Sequence, residues 1–237
     1  AALPRVESSI DEPLKFDSVN IQGTLNLLEH CRKFNVRRFV FSSSSSVYGE
    51  PPLEVLNGGR GISEYYDFPK PLSPYGLQKW AGEEYCKLYT RIHGIKTVSL
   101  RYFNVYGERQ RIDGAYRLVM GIFASQMLNN DPLTIVGNGE QKRDFCYVND
   151  VVDANILASE YLIGKVDSEV FNIGNGENHS VNEIASLFGC LTTRMPERVE
   201  PKCTLANNTK AKAILKWKPT TKLEEWVPKW IKDIRSI

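Results

Sequence analysis

The sequence is poor in the residues that build metal centres and disulfide frameworks. Its three histidines, His30, His93 and His179, are spread along 237 residues. That dispersal offers no metal-ligand spacing. The five cysteines, Cys31, Cys86, Cys146, Cys190 and Cys203, form no Cys-x-x-Cys pair. An odd, scattered set fits a reducing compartment better than a disulfide scaffold. No apolar run approaches the roughly 20 residues that span a bilayer, which argues against a membrane partner. A dominant charge is also missing: 30 Lys and Arg meet 28 Asp and Glu, a formal net charge of +2. The basic residues gather into no stripe, so there is no case for a nucleic-acid partner. No repeat of solenoid period occurs. The chain opens Ala1-Ala2-Leu3-Pro4, with neither methionine nor a charged leader before an apolar segment. The expectation is a cytoplasmic protein without a signal peptide, seen as a processed or partial chain.

What is present is ordinary soluble composition, 42% hydrophobic and 24% charged, with length enough for one domain or one large and one small. Residues 1–13 read as short and turn-like, with Asp11-Glu12-Pro13 as a helix start. Helical spacing over 14–34 rests on Leu14, Val19, Ile21, Leu25, Leu27, Leu28 and Cys31. Residues 37–42 read as a buried strand and 48–72, rich in Gly and Pro, as a surface loop. Further helices are expected over 74–93, 115–130, from Asn149 or Asp150 to 163, 207–215 and 221–235. Strands are expected over 95–100, 133–136, 143–148 and 170–174. Ser180 with Glu183 has capping-box spacing. Strand and helix alternate through the first hundred residues, which predicts an α/β layered fold with a smaller mixed lobe after it.

Ser73-Pro74-Tyr75-Gly76-Leu77-Gln78-Lys79 carries the chemistry. Pro74 can open a helix, since its missing N–H has no partner in a first turn anyway. Tyr75 and Lys79 then share a helical face one turn apart. Such a pair is commonly a plain surface contact. It is also how a cation lowers a phenol's pKa and makes a base for neutral pH. Ser42 to Ser46, five serines in a row, read either as loop filler or as part of a ligand site, because strand carboxyl ends bind ligands in parallel α/β sheets.

Several blocks occur together in a telling order: Phe41-Ser42-Ser43-Ser44-Ser45-Ser46-Val47-Tyr48-Gly49, the Ser73–Lys79 stretch, Leu100-Arg101-Tyr102-Phe103-Asn104-Val105-Tyr106-Gly107, Arg143-Asp144-Phe145 and Phe171-Asn172-Ile173-Gly174. With them the chain resembles an extended short-chain dehydrogenase/reductase of the nucleotide-sugar epimerase branch, from Ala1 to the C-terminus. The resemblance implies a Rossmann-like, doubly wound parallel sheet, N-terminally incomplete, in residues 1–110 with 145–175 returning to it. A smaller mixed α/β, nucleotide-sugar-binding lobe then falls on 111–144 and 176–237.

It also implies NAD as cofactor and UDP-glucose/UDP-galactose 4-epimerisation through a 4-keto sugar. Tyr75 becomes the base, with Lys79 lowering its pKa and binding the nicotinamide ribose, and Ser44 the hydroxyl at the sugar O4. Ser42 and Tyr102 join Tyr75 and Lys79 on the cofactor. Ser44, Ser45, Asn104, Arg143, Lys202 and Thr204 fall on the UDP-sugar. Lys202 stands where many relatives have an arginine. Thr204 stands at a position that gates N-acetylated sugars, and its small size extends the expected substrates to UDP-N-acetylglucosamine. Ser45 and Ser46 replace the acidic residues of dehydratases and the glutamate of decarboxylases, which disfavours both. Plainer roles stay open: Asn104 satisfying backbone groups in a turn, and Arg143 pairing with Asp144. A homodimer through helices 14–34 and 74–93 is implied as well.

The family's Gly-x-x-Gly-x-x-Gly fingerprint is absent. Gly58-Gly59-Arg60-Gly61 follows a loop and does not replace it. Those glycines let the backbone approach the pyrophosphate at a helix N-terminus. The expectation is therefore a C-terminal portion of an epimerase lacking roughly 65–75 residues, about two βαβ-type steps. Weak or no NAD binding by these residues alone, and open sheet edges, go with it. A non-catalytic nucleotide-sugar binder or scaffold is the competing expectation.

Overall fold

The computed structural model describes residues 2–52, 59–65, 69–114, 117–162, 167–197 and 200–236. Its elements, in chain order, are α1 (Val6–Asp11), α2 (Pro13–Asp17), α3 (Gly23–Lys33), β1 (Arg38–Ser44), α4 (Pro74–His93), β2 (Lys96–Tyr102), β3 (Val105–Tyr106), α5 (Val119–Leu128), β4 (Leu133–Val136), β5 (Lys142–Asp144), β6 (Cys146–Tyr147), α6 (Val148–Tyr161), β7 (Glu169–Ile173), β8 (Asn178–Ser180), α7 (Val181–Phe188), β9 (Thr192–Met195) and α8 (Leu223–Arg235).

A parallel sheet in the order β1-β2-β7 organises the first half. Arg38 to Ser44 lie opposite Lys96 to Tyr102, and Val98 to Tyr102 opposite Glu169 to Ile173. Every β2 residue from Thr97 to Arg101 is buried, as a strand covered on both faces must be. Val98 and Leu100 pack with Phe171, Ile173 and the α6 residues Ala154 and Ala158. Thr97 and Arg101 point the other way and bond to Thr90 and Glu83 of α4. All three strands end their ladder at one rim, where Ser44, Tyr102 and Ile173 meet.

The strand expected to stop at residue 42 runs on to Ser44. Ser42, Ser43 and Ser44 satisfy their backbones against Leu100, Arg101 and Tyr102, and Ser43 Oγ donates to the Glu83 carboxylate, so three serines are held in a sheet. The chain then turns through one 3₁₀ turn, Ser45–Val47. The α4 helix starts on a Ser73 cap with Pro74 behind it, and stops at left-handed Gly94. The stretch expected as one helix over 14–34 is interrupted by a π-helical turn, Ser18–Gln22. Its Asn20 is buried and bonds to Leu3 and to Gln78 of α4. Residues 6–11 are helical, against the turn-like expectation.

The smaller lobe packs α5, α7 and α8 around Phe123, Leu133, Ile135, Ile184, Phe188, Trp226 and Trp230. The capping box of Ser180 and Glu183 is present. Pairing of β4 with β9 went unforeseen, because β9 is exposed throughout and carries no apolar alternation. Asp150 does not cap α6, whose first residue follows uncapped Tyr147. Its carboxylate instead accepts from Thr220 and Thr221. Ala211, Leu215 and Trp217, assigned by sequence to the lobe, pack with the sheet side, and Trp217 Nε1 donates to Asp150 O. Residues 53–58 and 66–68 of the expected loop, Gly58 among them, lie outside the described residues, as do positions 115 and 116 and the helix end at 163. Among the described residues no helix is long and apolar enough to cross a membrane.

Gly76 lets α4 sit against the 3₁₀ turn: a Cβ there would lie 2.5 Å from the Ser46 carbonyl oxygen. Alanine favours helix, yet this contact is with backbone and cannot give way cheaply. Gly76→Ala is expected to lower stability by about 1–3 kcal/mol. Urea denaturation measures it, and an unchanged midpoint would show the approach to be looser than this.

Candidate active site

Tyr75 occupies the first turn of α4 and is 7% exposed. Its backbone N–H donates to Ser9 Oγ of α1 at 3.1 Å, which fixes the turn from the side. The Ser44 hydroxyl at the end of β1 lies near its phenol and favours the ionised form. Ser44 Oγ also accepts from Ser46 N at 3.1 Å and lies 3.1 Å from Ser46 Oγ. One turn along α4, Lys79 Nζ donates to the Ser42 carbonyl at 2.8 Å. The ammonium stands 5.8 Å from the Tyr75 ring centre and 5.2 Å from that of Phe41. Tyr75, Lys79, Ser42 and Ser44 thus converge on one rim of the sheet. Tyr102 completes the group from β2, with its OH 3.1 Å from Ser42 Oγ and donating to Asn155 Oδ1 at 2.9 Å.

The electrostatics differ from the simple expectation. Burial raises the Tyr75 phenol above its ordinary value, and the nearby Ser44 hydroxyl pulls the other way without prevailing. Lys79 faces a carbonyl and the flat of the ring, so it does not overcome that burial. Desolvation instead lowers Lys79 itself to about 8.

The other expected residues form a second group on the lobe side of the rim. Asn104, two positions past Tyr102, donates from Nδ2 to Asp144 O at 3.0 Å and lies 3.5 Å from Thr204 Oγ1. Residues 202–204 run beside β5: Lys142 N donates to Lys202 O at 2.9 Å and Thr204 N to Lys142 O at 3.0 Å. Arg143 pairs with Glu200 at 2.6 Å, not with Asp144. Lys202 is exposed, and its backbone N–H donates to the Glu50 carboxylate at 3.0 and 3.2 Å. Ser45 is half-buried in the 3₁₀ turn, where its carbonyl accepts from Tyr48 N.

Two buried carboxylates were given no site role from the sequence. Glu83, two turns along α4 from Tyr75, accepts two hydrogen bonds from the Arg101 guanidinium, at 2.8 and 2.6 Å. The Arg101 guanidinium lies 4.6 Å from the Tyr48 ring centre. The spacing Tyr75, Lys79, Glu83 on one helical face was the available signal. Asp144 accepts the backbone N–H groups of Asn175 at 2.7 Å, Gly176 at 3.0 Å and Ala206 at 3.0 Å. Burial pushes its pKa up to about 6 against the pull of those donors.

A Tyr-x-x-x-Lys helix laid beside a strand-end serine, on a parallel Rossmann-like sheet with a smaller lobe, defines a nicotinamide-dependent enzyme of the short-chain dehydrogenase/reductase kind. The NAD dependent epimerase/dehydratase family model matches residues 1–174, and the chain belongs to that family. A putative UDP-glucose 4-epimerase of Methanocaldococcus jannaschii is 38% identical over 98% of this chain and 75% of its own length. The crystal structure of the Thermotoga maritima UDP-glucose 4-epimerase with UDP-glucose is 37% identical, with a TM-score of 0.90 over 100% of this chain and 75% of that one. The Bacillus cereus UDP-glucuronic acid 4-epimerase, solved with UDP-glucuronic acid and NAD, is 35% identical, with a TM-score of 0.85 over 100% and 74%. The chain thus spans about three quarters of these relatives. Its class is that of NAD-dependent isomerases acting on nucleotide sugars.

The lowered Lys79 pKa fixes a sign. The unfolded chain keeps the ordinary value of 10.5, while the folded site titrates at about 8. Between those values the unfolded state binds the extra proton, so this group's contribution is full above about 10.5 and is lost as pH falls through about 8. Urea denaturation of the protein and of Lys79→Met across that window should show the native protein gaining stability relative to the variant as pH rises. A constant difference would contradict the assignment.

Proposed function

We propose that the chain acts as an NAD-dependent 4-epimerase of a UDP-hexose, working through a 4-keto sugar. The observation that carries this reading is the convergence of Tyr75, Ser44 and Lys79 on one rim of the sheet, with the Ser44 hydroxyl near enough to the phenol to favour its ionised form and Lys79 one turn away. Oxidation at C4 requires the hydroxyl proton to leave, and a phenol–phenolate positioned at O4 takes it and later returns it. Ser44 holds the same oxygen in line. When bound, NAD supplies the site that accepts the C4 hydride and gives it back on the other face.

The residues present fit the nicotinamide end of that cofactor. Lys79 has three N–H donors and Ser42 O takes one, which leaves donors for ribose hydroxyls. Tyr102 steadies Ser42 beside it. No Gly-x-x-Gly-x-x-Gly occurs in the 237 residues to receive the pyrophosphate. The competing reading is a nucleotide-sugar binder without turnover.

On the lobe side, Arg143 suits the UDP diphosphate through its planar donors, with Lys202 as a weaker helper. Asn104, Ser45 and Thr204 line the sugar between the two groups. The small Thr204 side chain is read as admitting an N-acetyl group, which extends the proposed substrates to UDP-N-acetylglucosamine. Tyr75→Phe is expected to cut turnover about 10²–10⁴-fold while UDP-sugar binding persists. Assays with UDP-glucose and UDP-N-acetylglucosamine measure this and rank the two sugars. Full turnover by the variant sinks the tyrosine assignment, and binding without turnover by the unaltered protein selects the binder.

A homodimer through 14–34 and 74–93 is part of the same reading. Leu14, Leu27, Leu77 and Ile92 are all at least half exposed on those segments. Light scattering should give about twice 26.9 kDa, and Leu77→Asp should halve it. A monomeric mass before substitution would exclude the interface.

A further inference from the structure

The described residues hold two Asn-Gly pairs, Asn138-Gly139 after β4 and Asn175-Gly176 after β7. A third, Asn57-Gly58, lies outside them. Asparagine is a labile residue, and most so before glycine, where no side chain shields the next backbone nitrogen from the asparagine Cγ. The two described pairs have opposite surroundings. Asn138 is exposed, and Glu140 N–H donates to its Oδ1 at 3.0 Å. That bond folds the side chain over the Gly139 peptide and polarises the Cγ carbonyl, as a donor does for any oxygen that gains charge. Among the described residues, neither Asn138 Nδ2 nor Gly139 N–H has an acceptor. At the other pair, Asn175 N–H donates to Asp144 Oδ1 at 2.7 Å and Gly176 N–H to Asp144 Oδ2 at 3.0 Å. Buried Asn208 donates from Nδ2 to the Gly174 and Asn175 carbonyls at 2.8 and 3.2 Å. The peptide that must turn for reaction is held there on both sides, with its nitrogen on a buried carboxylate.

We propose that Asn138 is the residue at which the folded protein deamidates, and that the Asp144 clasp spares Asn175. Gly139 N forms a bond to Asn138 Cγ and gives up its proton. The Cγ–Nδ2 bond breaks, and ammonia carries that proton away. Water then opens the cyclic imide at either carbonyl, leaving aspartate or isoaspartate. Isoaspartate puts an extra carbon into the main chain of a turn that is tied to α7. Asn182 N–H donates to Gly139 O at 3.1 Å, and Asn182 Nδ2 to Asn138 O at 3.0 Å. The fit is close, since a Cβ on Gly139 would lie 2.2 Å from Asn182 Oδ1. The longer main chain breaks that tie, whereas aspartate keeps it.

The test is peptide mapping by mass spectrometry of the protein held in mildly alkaline buffer, beside the same protein in urea, where each pair reacts at its intrinsic rate. Relative to its own rate in urea, Asn138 is expected to convert at least about tenfold faster than Asn175, because a hydrogen bond to a carboxylate must break before Gly176 can react. A smaller ratio overturns the proposal, whether both sites are slow or both are fast. Aged protein carrying isoaspartate at this position should melt below fresh protein. Asn138→Asp, which adds the charge but no main-chain atom, should melt with the fresh protein. Equal melting of aged and fresh protein, or an equal loss in Asn138→Asp, overturns the broken tie to α7.

Discussion

The structure turns on one buried ion pair, Glu83 with Arg101. Both side chains are almost wholly out of water, at 0% and 6% exposure. Burying two charges costs several kcal/mol each unless their bonds are complete. Here they are: the guanidinium donates two hydrogen bonds to the carboxylate, Ser43 donates to the carboxylate as well, and the Tyr48 ring covers the cation. Tyr48 in turn donates to Asn172 of β7 at 2.7 Å. One network therefore ties α4 to β1, β2 and β7. Helix rotation or sliding would break charged bonds in a dry interior, so the helix has one position. Tyr75 stands near Ser44 because Glu83, eight residues on, is fixed to Arg101 of β2 and Ser43 of β1.

This explains which parts of the site were legible beforehand. Tyr75 and Lys79 could be read from their spacing and from Pro74, because a helix imposes its geometry locally. Ser44 could be matched only by the order of several blocks, since five serines in a row carry no periodicity to distinguish one from another. The partners of Arg143 were not legible. Asp144 is its chain neighbour, but adjacent side chains on a strand point to opposite faces, and Glu200 reaches Arg143 from 57 residues away. The same rule sends Asp144 inward, where it becomes the junction of two loops.

The fold was legible in proportion to burial. α4, β2 and the Ser180 cap were plain because apolar runs and end signals agreed. β9 was invisible because an exposed strand needs no pattern, only a neighbour with free backbone groups. The place of residues 211–217 was misread because Trp217 is large and apolar and suits either cluster. Its indole N–H decided the matter, since a buried donor requires an acceptor and Asp150 O supplies one.

Asp144 has a mechanical meaning. A single carboxylate closes three amides from two separate loops, one following β7 and one preceding residues 207–215. The β5 strand that carries Arg143 cannot drift from the end of β7 by degrees, because the first bond to stretch strands charge in a dry place and strains the other two. Those three bonds make Asp144 the single pin that holds β5, the loop after β7 and the loop before residue 207 in one register.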